Sequence, residues 1–217
     1  MKKTSKPTQP SFGGPVLSTK RLEALTDGVF AIVMTLLVFN LKVPLLGPDA
    51  PPGELIRQLM KLWPQFFSFV LSVLILGVHW VGYTAQFHYV RRSNRIHHWI
   101  NILYLLCLAF VPFSAAVLGQ YSDDPIAVIL YSLNLLAAGL VLYLHFWYVL
   151  TFKLVDPGMP LPVIRMAKFR ILTGMIVYLI AIPLSFASPK ACLVLFILGP
   201  LLYILPSPAD RYFQAQK

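Results

Sequence analysis

The sequence predicts an all-α integral membrane protein, a bundle of about six transmembrane helices per subunit. Three observations carry this. Hydrophobic residues make up 58% of the 217-residue chain and charged ones 12%, with a mean hydropathy of +0.72, too apolar for the surface of a soluble domain this size. The apolar runs recur at lengths near the roughly 20 residues that a helical crossing needs, so six crossings use up nearly all of the chain. Lys and Arg cluster in alternate connections, which is the pattern of a topology signal.

Residues 1–19 are polar and rich in Pro, Gly and Ser, and are expected to form a disordered cytosolic tail. The apolar run after them is too long for a signal-peptide core. One compact membrane domain is expected over 20–207 and a short cytosolic tail over 208–217. The first span runs from about Arg21 to Val43, with Thr19 as a cap and Pro44 as the stop. Charged and apolar residues alternate from Glu54 in ELIRQLMKLW, predicting an amphipathic turn or two before a second span over about Trp63–Phe87. The third span covers about Ile96–Leu118, with Pro112 inside it, and the acidic turn Asp123-Asp124-Pro125 opens a fourth over Ile126–Leu150. A fifth over Ile164–Leu184 and a short sixth over Lys190–Leu205 complete the bundle.

Of the 18 Lys and Arg, all but Lys42, Arg57, Lys61 and Lys190 fall on one side of these crossings. The positive-inside rule then makes both termini cytosolic in a multi-pass protein of the cell membrane. The formal charge of +10 has the same explanation, and nucleic acid is not an expected partner. Cys107 and Cys192 sit in apolar runs and read as structural thiols. There is no Gly-rich phosphate loop, no HExxH, no GxSxG and no pair of membrane carboxylates, so no enzyme and no metal or cofactor site is expected.

The first helix, RLEALTDGVFAIVMTLLVFNLKVP, carries most of the information. Asp27 lies just within its inner end, where an acid is costly unless paired or hydrated; its alternative reading is a helix cap. At about 100° per residue, Gly28, Ile32, Thr35, Leu36, Phe39 and Val43 share one arc and Asp27 lies off it. Such an arc lines a pore or packs in a bundle, and periodicity alone leaves both open. His79, followed by Trp80 in the second span, lies near the depth of Asp27, so a His79–Asp27 contact is geometrically allowed. His88, His97 and His98 are expected at the headgroup boundary, and His145 and Asn134 to hydrogen-bond between helices.

At these residues the sequence resembles the endosomal and lysosomal potassium channels called transmembrane protein 175, specifically their bacterial branch with one six-helix unit per chain. The family's mark is an Arg, a Phe-Ser-Asp triplet, and a small and apolar run ending near Thr-Leu-Leu. Here it reads Arg21, Leu25-Thr26-Asp27, Gly28 to Ile32, then Thr35-Leu36-Leu37; Leu25 replaces the Phe, and Thr26 keeps the hydroxyl of the Ser. The likeness continues through His79, Trp80, the Arg-rich turn, Asn101 and FVPFSAAVLG (Phe110 to Gly119), and over the last three helices rests mainly on hydrophobicity.

The resemblance implies a homotetramer in which the first helix of each subunit surrounds a pore selective for potassium over sodium, weakly to moderately. The pore has no TVGYG filter and no cofactor besides the permeant ions. Its constrictions would be apolar rings at Ile32, Leu36 and Phe39, with Thr35 as a polar contributor; Phe39 is bulkier than the Leu usual there. Arg21, Asp27 and His79 would form a structural polar network. Two other classes compete: a transporter or proton path relayed through Asp27 and His79, and a non-conducting scaffold with the arc as its interface.

Overall fold

The structure, a computed structural model, describes residues 19–204. Of the predicted tails at 1–19 and 208–217, all but Thr19, which opens the first helix, lie outside them, with Lys2, Lys3, Lys6, Arg211 and Lys217. The described chain is helical throughout: α1 Thr19–Leu36, a 3-10 turn Leu37–Asn40, α2 Glu54–Lys61, α3 Trp63–Phe87, α4 Arg95–Ala109, α5 Val111–Gln120, α6 Pro125–Thr151, α7 Leu161–Ala187 and α8 Pro189–Ile204. Five stretches are long and apolar enough to cross a membrane: Thr19–Asn40, Trp63–Phe87, Arg95–Gln120, Pro125–Thr151 and Leu161–Ala187. The sixth predicted span is α8, whose 16 residues reach only ~24 Å at 1.5 Å per residue.

Two expectations of continuity give way. The first span stops at Asn40 rather than Val43, because Leu41 is extended (φ −88°, ψ 92°) and the chain stays non-helical ahead of Pro44. The third span is broken at Phe110. Pro112 has no N–H to give the Leu108 carbonyl and its ring crowds that turn, so it sits instead in the first turn of α5, where no donor is required. Asn40 donates its Nδ2 to the Pro112 carbonyl at 2.9 Å, tying the end of α1 to this break.

α5 packs on α3 closely enough that a Cβ on Gly119 would stand 2.9 Å from the Gln65 Cα. Ser68 donates to the Ala115 carbonyl across the same seam at 2.7 Å, the small-residue packing usual between membrane helices. Asn134 reaches from α6 to Ser114 at 3.0 Å, as expected of it.

His97 is fully buried within the bundle, in the first turn of α4. Asn94 caps α4 through the His97 N–H, which turns the His97 ring inward against α6. There its Nε2 meets the Nε2 of His145 at 2.6 Å. The His145 Nδ1 has no partner among the described residues. A lone pair is tolerated in such a place better than an orphan N–H, which favours the tautomers in which His145 donates from Nε2 and His97 donates its Nδ1–H to Ser93 Oγ at 2.8 Å.

The connections at this end of the bundle are clasped. Arg91 and Arg92 donate their N–H groups to the Leu154 carbonyl at 2.9 and 3.1 Å, and Asp156 returns one to Tyr89 at 2.8 Å. The Arg91 guanidinium holds the Asp156 carboxylate at 2.8 Å. The Gly158 N–H first, and Arg91 second, keep the Asp156 carboxyl below its ordinary 3.8. A depressed carboxylate stabilises above the unfolded pKa and loses that effect as pH falls through the folded one. The clasp is therefore complete at neutral pH and released in strong acid. Asp156→Asn imitates the acid form, and is expected to speed hydrogen exchange at Arg91, Arg92 and Asp156 roughly twofold to fivefold, with the middle of α3 unchanged.

At the opposite end Lys190 meets Asp123 at 3.5 Å, so the α5–α6 and α7–α8 connections share a side.

Candidate functional site

Helix α1 has two faces, and the sequence that makes it helical also separates them. No Pro interrupts Thr19–Asn40. Thr35 turns its hydroxyl back to the Ile32 carbonyl at 2.8 Å, a bond that spares a β-branched polar side chain an exposed donor. One turn later the helix tightens into its 3-10 end. Leu22, Thr26, Phe30, Val33 and Leu37 are buried and pack inward, at the spacing of four and three residues that keeps one stripe in register. α1 rests on α3, α4 and α5.

The other face is uncovered by its own chain. Ile32 is 58% exposed, Leu36 43% and Phe39 75%, and Gly28 and Thr35 are exposed beside them. The predicted arc thus lies on the side of α1 that its own bundle does not use. Val43 is exposed too but lies beyond the helix, so it does not continue the row.

Asp27 is also exposed, about 12 Å along the helix from Thr19. Its partner is Trp80, whose Nε1 donates to Oδ1 at 2.9 Å. His79 turns the other way and pairs through Nδ1 with the Tyr104 hydroxyl at 3.1 Å. Consecutive residues of a helix point about 100° apart, so α3 presents Trp80 to α1 and His79 to α4. Within one chain, Asp27 and His79 are therefore separate clips rather than a contact. Arg21 is exposed and makes no ion pair among the described residues.

The centre of the polar arrangement is a residue with no role in the sequence reading beyond its hydroxyl. Thr26 is fully buried; its Oγ1 bonds the Leu22 carbonyl at 2.9 Å and the Tyr83 hydroxyl at 3.3 Å, and accepts from Asn101 Nδ2 at 3.0 Å. Tyr83 stacks on Tyr104 with centroids 5.8 Å apart, and so joins this node to the His79 clip. One hydroxyl thereby connects α1, α3 and α4. Its signal in the sequence was a β-branched polar residue on the buried stripe, four residues from both Leu22 and Phe30. Among the described residues, no group of three or more His, Cys, Asp or Glu is placed to hold a metal ion.

Residues 21–112 match the family model described as the endosomal/lysosomal potassium channel TMEM175. The chain is 35% identical over 173 residues to a potassium channel of Streptomyces collinus, covering 77% of this chain and 82% of that one. It belongs to the TMEM175 family. The crystal structure of a lysosomal potassium-selective channel TMEM175 homolog from Chamaesiphon minutus superposes with a TM-score of 0.76 at 30% identity, over 86% of this chain and 96% of that chain. The human endosomal/lysosomal proton channel TMEM175 is 29% identical over 114 residues, 50% of this chain but 23% of its own.

TMEM175 is a channel family, and this member is a multi-pass membrane protein and not an enzyme. The matched stretch runs from Arg21 into the first turn of α5 and so contains both faces of α1, the Asp27–Trp80 and His79–Tyr104 clips and the Thr26 node.

Proposed function

We propose that this TMEM175 chain is a potassium-selective cation channel of the cell membrane, a homotetramer whose α1 helices enclose the pore. The observation that carries this reading is the uncovered face of α1, which joins Gly28 and Thr35 to the apolar row Ile32, Leu36 and Phe39. A row that carries a glycine and a hydroxyl suits close approach to other copies of α1 around a water-filled axis better than contact with lipid. Streptomyces collinus and Chamaesiphon minutus relatives described as potassium channels support the choice of ion.

The reading has both termini cytosolic and α8 as a sixth, short crossing. The pairing of Lys190 with Asp123 supports this, since it puts the start of α8 with the end of the bundle opposite the Arg91 clasp.

In the assembly, Ile32, Leu36 and Phe39 would form apolar rings roughly 5–6 Å apart along the axis. A narrow apolar ring expels water and blocks ions; a small widening rewets it and admits a partly hydrated cation. Ile32, deepest of the three from the outer end, is the main gate. Potassium, whose hydration is weaker, pays less to shed water there than sodium, and Thr35 oxygens help replace what is shed. Asp27 and His79 clip α1 to α3 and α3 to α4, with Arg21 at the inner surface, and so hold the pore helix against its own bundle rather than ligating ions.

Phe39→Cys tests the axis directly. In potassium-loaded proteoliposomes, a charged, membrane-impermeant thiosulfonate is expected to abolish most flux through Phe39→Cys. Wild type, whose Cys107 is half-buried and Cys192 buried, should be spared. Flux that persists after complete modification of Phe39→Cys would place the conduction path elsewhere.

A further inference from the structure

Between α3, α6, α7 and α8 lies a cavity of about 640 Å³ with a largely apolar wall, within the size range of sites that hold a small organic ligand. On α3 its lining is the stripe Ile75, His79, Gly82 and Gln86, spaced at three and four residues along one face. The space therefore follows that helix for ~16 Å at 1.5 Å per residue, a long and narrow shape. Two glycines leave room on the far side: a Cβ built on Gly174 of α7 or Gly199 of α8 meets no heavy atom within 4 Å.

Most of the polar work of this wall is already done within the protein. Thr173 turns its hydroxyl back to the Phe169 carbonyl at 2.8 Å, His79 pairs with Tyr104 at 3.1 Å, and the Arg170 guanidinium lies over the Tyr203 ring at 4.5 Å. Gln86 differs. It is 3% exposed, and its Oε1 has no hydrogen-bond partner among the described residues. An unmet buried acceptor is costly, and the last torsion of a glutamine is soft, so the amide can turn either end to the cavity it lines. A hydroxyl answers both ends, since it donates and accepts, whereas an ionised carboxylate has no proton to give Oε1. With Arg170 already engaged, the cavity asks for hydrocarbon and one hydroxyl rather than for a charge.

We propose that this cavity binds an uncharged, single-chain lipid whose head is a hydroxyl, of the class of the long-chain alcohols. The hydroxyl bonds the Gln86 amide, and the chain runs along α3 toward Ile75. Gln86 stands one residue from the end of the crossing Trp63–Phe87, so the polar head lies at the edge of the bilayer and the chain within it, the orientation an amphiphile takes in the surrounding membrane.

The test is photolabelling of the purified protein in detergent with a long-chain alcohol that carries a diazirine in its chain, read by mass spectrometry of the labelled peptides. Wild type is expected to take the label on α7 and α8 at the cavity wall. Dodecanol should displace it about tenfold better than dodecane or laurate at equal mole fraction in the micelle. Gly174→Leu fills the chamber and should cut this labelling about tenfold. Gly199→Leu does the same from the other wall, should the first variant fail to fold. Gln86→Leu should keep the label and lose the advantage of dodecanol over dodecane. Label spread evenly over the lipid-facing helices, displacement by dodecane or laurate as good as by dodecanol, or undiminished labelling of the filled variants would each overturn the proposal. The readout is a labelled peptide, so it stands or falls separately from ion conduction.

Discussion

Ile32→Asn is expected to raise the potassium current of the reconstituted protein at least about tenfold and to weaken its discrimination against sodium. The side chain is 58% exposed and faces away from its own bundle, so replacing it with an amide of similar size disturbs no packed core. In a tetramer the substitution acts four times at one level, putting a ring of donors and acceptors where a dry constriction stood. Water then fills the ring in the closed state, and the cost of moving an ion through it falls; a tenfold gain corresponds to a barrier lowered by ~1.4 kcal/mol. Loss of selectivity follows, since an ion that keeps its water is no longer sorted by how readily it gives water up. Planar-bilayer recordings at matched protein density check this. An unchanged current with normal assembly would remove Ile32 from the gate.

Thr26→Val is expected to destabilise the folded protein by about 2 kcal/mol, a fall of roughly 4–8 °C in the midpoint of thermal unfolding. Valine matches threonine in shape, so no cavity forms; what disappears is the acceptor for Asn101 Nδ2 and the partner of the Tyr83 hydroxyl, both in a buried place. The Asn101 Oδ1 is already without a partner, which leaves this amide nothing else to bond among the described residues. Thr26→Ser keeps the hydroxyl and should recover most of the loss. Thermal unfolding in detergent, followed by the fluorescence of an environment-sensitive thiol dye, separates the two variants. Equal stability of Thr26→Val and wild type would show that the node ties nothing together.

Where the sequence was most informative, one physical effect acted alone. Apolar length locates Trp63–Phe87 directly, and the charge alternation from Glu54 locates α2. The arc on α1 was legible because 3.6-residue periodicity needs no partner to be seen, and the residues it joins are the ones the bundle leaves uncovered. Legibility failed where a second helix decides. Asp27 and His79 are matched in depth, but the 100° step between His79 and Trp80 hands the acid to the indole, and only the packing of α1 on α3 reveals which neighbour is chosen. The inward turn of His97 toward His145 joins residues 48 apart in sequence, which no local spacing announces. The break at Phe110 follows from Pro112, but whether a membrane proline kinks its helix or starts a new one depends on what its neighbours supply, here the Asn40 amide from the end of α1.

The central claim is that the chain conducts potassium in preference to sodium along α1. It is tested most directly by the reversal potential of the purified wild-type protein in a planar bilayer, with potassium on one side and sodium on the other. A reversal displaced toward the potassium equilibrium potential, and shifted back toward zero by Ile32→Asn, is the predicted result. A reversal at zero, or no current from protein shown to be folded and oligomeric, would contradict it.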